Sequence, residues 1–114
     1  MGVLSSNEPN EMGFHIYNVT VKVDHIIHKD WLDWMKNKHL PEVMNTGCFK
    51  RFQFVRLLDI EESDGLTYAT QYYAEDFGKC QSFIQQFEPA FKKASFEKWG
   101  NSLMEFASLM QVVH

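Results

Sequence analysis

The hydrophobic period of this chain switches between two and 3.6, and that succession constrains the fold more than any single motif does. In FHIYNVTVKV (14–23) the period is two. Tyr17, Val19, Val21 and Val23 fall on one face, and Phe14, Ile16, Asn18 and Thr20 on the other, as in a β-strand. From Ile27 the period becomes helical. Trp31, Leu32, Trp34 and Met35 share one arc while Asp30, Asp33, Lys36 and Asn37 take the other, which predicts an amphipathic helix over about 25–39. That helix should end before Pro41, because the residue preceding a proline disfavours α geometry. After a turn at NTG (45–47), FKRFQFVRLLDI (49–60) returns to period two, with Phe52, Phe54, Leu58 and Ile60 in one row and Val55 and Leu57 in the other. EESDG (61–65) reads as a hairpin loop whose Gly65 can supply a positive φ, and LTYATQYYA (66–74) as a third strand.

The second helix is the clearest element. Asp76 is placed to cap it, and Phe77, Cys80, Phe83, Ile84, Phe87 and Phe91 form one stripe. Pro89 should kink or break it, and Gly100 is the expected C-cap. LMEFASLMQVV (103–113) reads as a last strand, with helix a competing assignment. The order is then β-α-β-β-α-β, a ferredoxin-like split βαβ unit, and right-handed crossovers put both helices on one face of a four-stranded antiparallel sheet. Residues 1–13 are polar and aperiodic and are expected to be a flexible lead to a single α+β domain over 14–114.

The face opposite the helices should be polar if water covers it. Instead large apolar side chains occupy both rows of strands two and four, and Ala69 and Tyr73 stand opposite Leu66, Tyr68 and Tyr72 on strand three. A contiguous exposed apolar patch is unusual for a monomer, so a homodimer packed sheet to sheet, a dimeric α/β barrel, is the expected cover.

Composition bounds the function. A net charge of −4 and a pI of about 5.7 argue against nucleic-acid binding, which needs a basic footprint. No apolar run reaches membrane-spanning length, and MGVLSSNEPNEMG lacks the basic start and apolar core of a signal peptide. Two cysteines, Cys48 and Cys80, with no CxxC spacing and no metal-like histidine spacing, argue against a zinc site and make a reducing, cytoplasmic setting the default.

IYNVTVKV, WLDWMKNKHLPEVMNTGCF, VRLL and LTYATQYYA resemble a bacterial domain-of-unknown-function family within the dimeric α/β-barrel superfamily. The resemblance spans about residues 14–113 and implies the ferredoxin-like fold and the homodimer. Cofactor-free quinol monooxygenases, haem-degrading enzymes and muconolactone-isomerase-like proteins share that superfamily, so a cofactor-independent monooxygenase or isomerase is the enzymatic expectation, beside a ligand-binding protein and a purely structural dimerisation or partner-binding module.

The candidate site residues follow from these two sources. His39, with an ordinary pKa near physiological pH, could act as a proton shuttle, or could simply close the helix and favour its negative end. Trp31 belongs to the helix stripe, where it serves the core first and a pocket second. His25 and His28 have no third ligand in view, so no metal is expected, and no cofactor either. In the related monooxygenases a first-strand asparagine enters the substrate cavity, which the resemblance would assign to Asn18. If Val19, Val21 and Val23 pack on the helices, however, Asn18 faces the barrel instead. Tyr72 is a second candidate to orient a substrate. Arg56 interrupts the Phe52–Phe54–Leu58–Ile60 row and should meet an anionic ligand or an acidic partner such as Glu105. Gln71, between Ala69 and Tyr73, could fix a ligand or satisfy a neighbour. A small aromatic or acyl ligand between helices and sheet is the leading expectation.

Overall fold

A computed structural model describes residues 11–114. The strands are β1 (His15–Val23), β2 (Arg51–Arg56), β3 (Leu66–Ala74) and β4 (Leu103–Gln111), all pairing antiparallel in the order β2-β3-β1-β4. The β-branched and aromatic strands β1 and β3 thus take the centre. In register, Tyr17 pairs with Tyr72, Val19 with Thr70 and Val21 with Tyr68, so these residues face the helices together. Expectation and structure agree on the α+β class, on the ferredoxin-like order and on β4 as a strand.

The first helical run is longer than expected. Asp24 accepts from the Ile26 amide and opens a 3₁₀ turn, His25–Ile27. Next come α1 (His28–Trp34), a π-helical turn (Met35–His39) and α2 (Leu40–Met44). Pro41 does not end the run, because it sits in the first turn of α2, where its missing N–H costs nothing. The wider π turn ahead of it, in which the Leu40 amide donates to the Met35 carbonyl five residues back, absorbs the break in α bonding. Proline thus re-phases the helix rather than stopping it.

The second helical region splits where proline predicts. α3 (Phe77–Gln86) is capped by Asp76, whose carboxylate accepts from the Lys79 amide at 3.0 Å. α4 (Glu88–Trp99) restarts with Pro89 in its first turn and ends at Gly100, whose φ is 56°. The core lies between these helices and the sheet, with Trp31, Tyr72, Val23, Val43 and Cys80 completely enclosed.

Several expectations are corrected. β2 ends at Arg56, so Leu58 and Ile60 leave the row and stand exposed in the loop to β3. Arg56 is not an interrupted core position. It lies exposed on the edge strand and pairs with Glu62 at 2.9 Å, while Glu105 is on β4 at the opposite edge of the sheet. Of the expected lead, residues 1–10 lie outside the described residues. Residues 11–13 form a turn held to the sheet: the Gly13 amide donates to Val112, and Glu11 pairs with Arg51 in two hydrogen bonds of 2.7 and 2.8 Å. The helix-free face is mixed rather than apolar. Register places Asn18, Thr20, Gln53, Gln71 and Ser108 there, among Ile16, Val55, Met104 and Phe106.

Candidate functional site

A cavity of about 80 Å³ lies between the helices and the sheet. It exceeds the ~10–15 Å³ that one water requires and falls short of the ~300–1,000 Å³ of a drug-sized pocket. It has room for a few heavy atoms, and for more only through the mouth. β1 and β3 supply Tyr17, Val19, Thr70 and Tyr72 to the lining, and the first helical run supplies Trp31, Trp34, Met35 and His39. Phe91 and Lys92 of α4 and Glu105 of β4 complete the rim.

His39 is set into this wall beside the buried hydroxyl residues Thr70 and Ser95. The π turn carries it inward, where Trp34 stacks on the imidazole at 4.8 Å and Phe91 meets it edge-on at 5.4 Å. Burial pushes its pKa down from the usual 6.5 to about 4, with the Glu42 charge opposing, so the ring is neutral at physiological pH. Among the described residues no side chain or backbone group hydrogen-bonds it. A neutral imidazole facing a cavity with both nitrogens uncommitted can donate one hydrogen bond and accept another.

At the mouth Glu88 accepts from the Tyr17 hydroxyl and holds Lys92 at 3.4 Å. Burial first, and the Glu88 carboxylate next, push the Tyr17 phenol well above its ordinary value, so it stays protonated. Burial likewise raises Tyr72. Glu105 stands on the helix-facing row of β4 between Leu103 and Ala107. Burial raises its carboxyl, Lys92 opposes the rise and Glu88 adds to it.

The structure brings together three of the six candidates: His39, Trp31 and Tyr72 all line the cavity. Trp31 is 1 % exposed and packs on Phe54 and Tyr68, so it forms wall and core at once. Asn18 and Gln71 are cross-strand neighbours on the opposite face, where Asn18 donates to Thr20 at 3.2 Å and Gln71 accepts from Tyr73 at 3.4 Å. Arg56 lies outside the cavity with its Glu62 partner. Tyr17, Glu88, Lys92 and Glu105 were not singled out as site residues from sequence. Glu105 carries a visible signal, a charge inside the row Leu103–Ala107–Leu109. Glu88 carries none, since an acid in the first turn of a helix is ordinary. Among the described residues no group of three or more His, Cys, Asp or Glu side chains is arranged for a metal ion. Nor is any helix among them long and apolar enough to cross a membrane.

The family model described as "Domain of unknown function (DUF4286)" matches residues 14–113. The chain belongs to that family. No curated protein matches it. Solved structures with the same fold include a dimeric ferredoxin-like protein from an uncultured marine organism, 15% identical with a TM-score of 0.65, the match covering 89% of this chain and 95% of that one. An ethyl tert-butyl ether d (ethd) family protein from Bacillus halodurans is 12% identical, TM-score 0.62, over 82% and 96% of the two chains. A monooxygenase from Streptomyces coelicolor, in complex with the ligand nanaomycin D, is 13% identical, TM-score 0.61, over 91% and 90%. At these identities the likeness is one of fold, which places this DUF4286 domain in the ferredoxin-like group.

Proposed function

We propose that this DUF4286 domain is a homodimer that binds a small apolar or aromatic ligand between its helices and its sheet. The observation that carries the ligand reading is His39: a neutral imidazole clamped between Trp34 and Phe91, facing a cavity, with no hydrogen-bond partner among the described residues. The ring is half-buried and its nitrogens are not enclosed, so an uncommitted nitrogen is open to a ligand hydroxyl or carbonyl at the cavity. Titration with phenol-sized fragments, followed by NMR at the Trp34 indole and the His39 ring, tests this. Shifts at both residues are expected. If no fragment moves either signal, the reading is wrong.

The dimer rests on the helix-free face, where Met104 and Phe106 are 68% and 63% exposed, and on the fold shared with a protein described as dimeric. The polar centre of that face, where Asn18 lies 3.4 Å from Ser108, would set register as well as adhesion. Light scattering at micromolar concentration should give twice the chain mass of 13.4 kDa, and a clean monomer would sink it. The buried free thiols of Cys48 and Cys80 suit a reducing compartment such as the cytoplasm.

A second reading, a cofactor-independent monooxygenase or isomerase, is favoured by one observation: His39 and Tyr72 share the cavity as proton carrier and orienting group. Asn18 has no part in it, being on the far face. Oxygen uptake with a panel of hydroquinones tests the oxygenase branch, and turnover that survives His39→Ala would reject the role given to the imidazole.

A further inference from the structure

Three charged side chains, Glu88, Lys92 and Glu105, line the mouth of the cavity. Lys92 is committed to Glu88, and Glu88 is completed by the Tyr17 hydroxyl, so that pair is locally neutral. Glu105 is not part of it. Its carboxylate feels Lys92 and Glu88, but no hydrogen bond or ion pair closes on it among the described residues, although it stands in the helix-facing row between Leu103 and Ala107. Glu105 is exposed, so its carboxylate is solvated when the cavity is empty; with Lys92 set against Glu88, it leaves the mouth with one net negative charge. The walls suit the same charge. Trp34, Phe91, Tyr17 and Phe83 surround the cavity, and ring faces attract cations.

We propose that the cavity takes a small organic cation, a protonated amine on a compact apolar body, with Glu105 as its counter-ion and the aromatic rings as its cage. This rests on the ligand-binding reading above and adds the charge of the ligand to it. An anion would meet the net negative charge of Glu88, Glu105 and Lys92 together, and a neutral ligand would make no use of it. The cavity volume of about 80 Å³ suits a branched body of four or five heavy atoms rather than a fused ring system.

Three probes with one carbon skeleton separate the charge from the shape: isobutylammonium, isobutanol and isobutyrate, titrated at pH 7.5 and constant ionic strength and read by NMR at Trp34 and His39. The ammonium should bind about tenfold more tightly than the alcohol, the scale of a partly desolvated cation–π contact assisted by a carboxylate. Isobutyrate should bind most weakly. Glu105→Gln should bring the ammonium to within about twofold of the alcohol and leave the alcohol where it was. Glu105→Lys should invert the order in favour of isobutyrate. Both changes are on an exposed edge strand, and unaltered thermal unfolding checks that each variant is folded. If the alcohol binds as tightly as the ammonium, or Glu105→Gln keeps the ammonium preference, the cation proposal is overturned while the cavity reading stands. If none of the three moves Trp34 or His39, both fall together.

Discussion

Replacing His39 with Phe should remove a defined part of the acid sensitivity of the fold. In the unfolded chain the imidazole titrates near 6.5, and in the folded protein burial lowers this to about 4. Above the unfolded value both states hold a neutral ring, so His39 contributes no pH dependence. Between 6.5 and 4 the unfolded chain takes up a proton that the folded one refuses, so stability falls as the pH falls, at about 1.4 kcal/mol per unit. Below 4 both states are protonated and the loss levels off, at roughly 3 kcal/mol in total. At pH 5 the wild type should therefore have lost about 2 kcal/mol on this account. Glu11 and Glu61, whose pKa values are lowered, and Glu105, whose pKa is raised, also titrate at acid pH, but both proteins share them and they cancel in the difference. Phe keeps a flat ring between the stacked Trp34 and the edge-on Phe91 and carries no proton. Urea unfolding of both proteins at pH 7.5, 6.5, 5.5 and 5.0 gives the comparison. The stability of His39→Phe relative to wild type should rise by about 2 kcal/mol across that series. A relative stability that is flat with pH would mean that the ring is solvated in the folded state, and the neutral hydrogen-bonding role given to His39 would go with it.

Other perturbations test the frame around the site. Trp31→Ala empties a position 1 % exposed between Phe54 and Tyr68 and should cost about 3–5 kcal/mol in urea unfolding; a loss under about 1 kcal/mol would contradict the packing. Asp76→Ala removes the α3 cap and should cost about 1 kcal/mol, with Asp76→Asn retaining most of it. Gly65→Ala puts a Cβ 2.3 Å from the Val23 carbonyl at a φ of +154°, so its thermal unfolding should fall well below that of a neighbouring loop change such as Ser63→Ala. Arg56→Ala should leave the urea midpoint within error of wild type, because its partner Glu62 is solvated as well; a large loss would restore the buried ion pair that the sequence pattern suggests.

Features that rest on local periodicity and local chemistry are legible in the chain before it folds. The succession of periods two and 3.6 set the element order, and Asp76, Pro89 and Gly100 each act within a few residues of their own position. The cavity residues His39, Trp31 and Tyr72 were legible because aromatics on a helix stripe and on a central strand must meet across the core. The remaining features depend on which distant segments meet. Whether Arg56 is a buried charge depends on strand order, which puts β2 and β4 at opposite edges and sends Arg56 to Glu62. Pro41 breaks a helix only if no wider turn precedes it, and the π turn that carries His39 inward is a cooperative solution of the whole run against the sheet. Glu88 reaches the Tyr17 hydroxyl from 71 residues away, and Glu105 stands at the rim because β4 pairs with β1 in a particular register. Period tells a residue which face it is on; only the pairing of distant segments tells it what it faces.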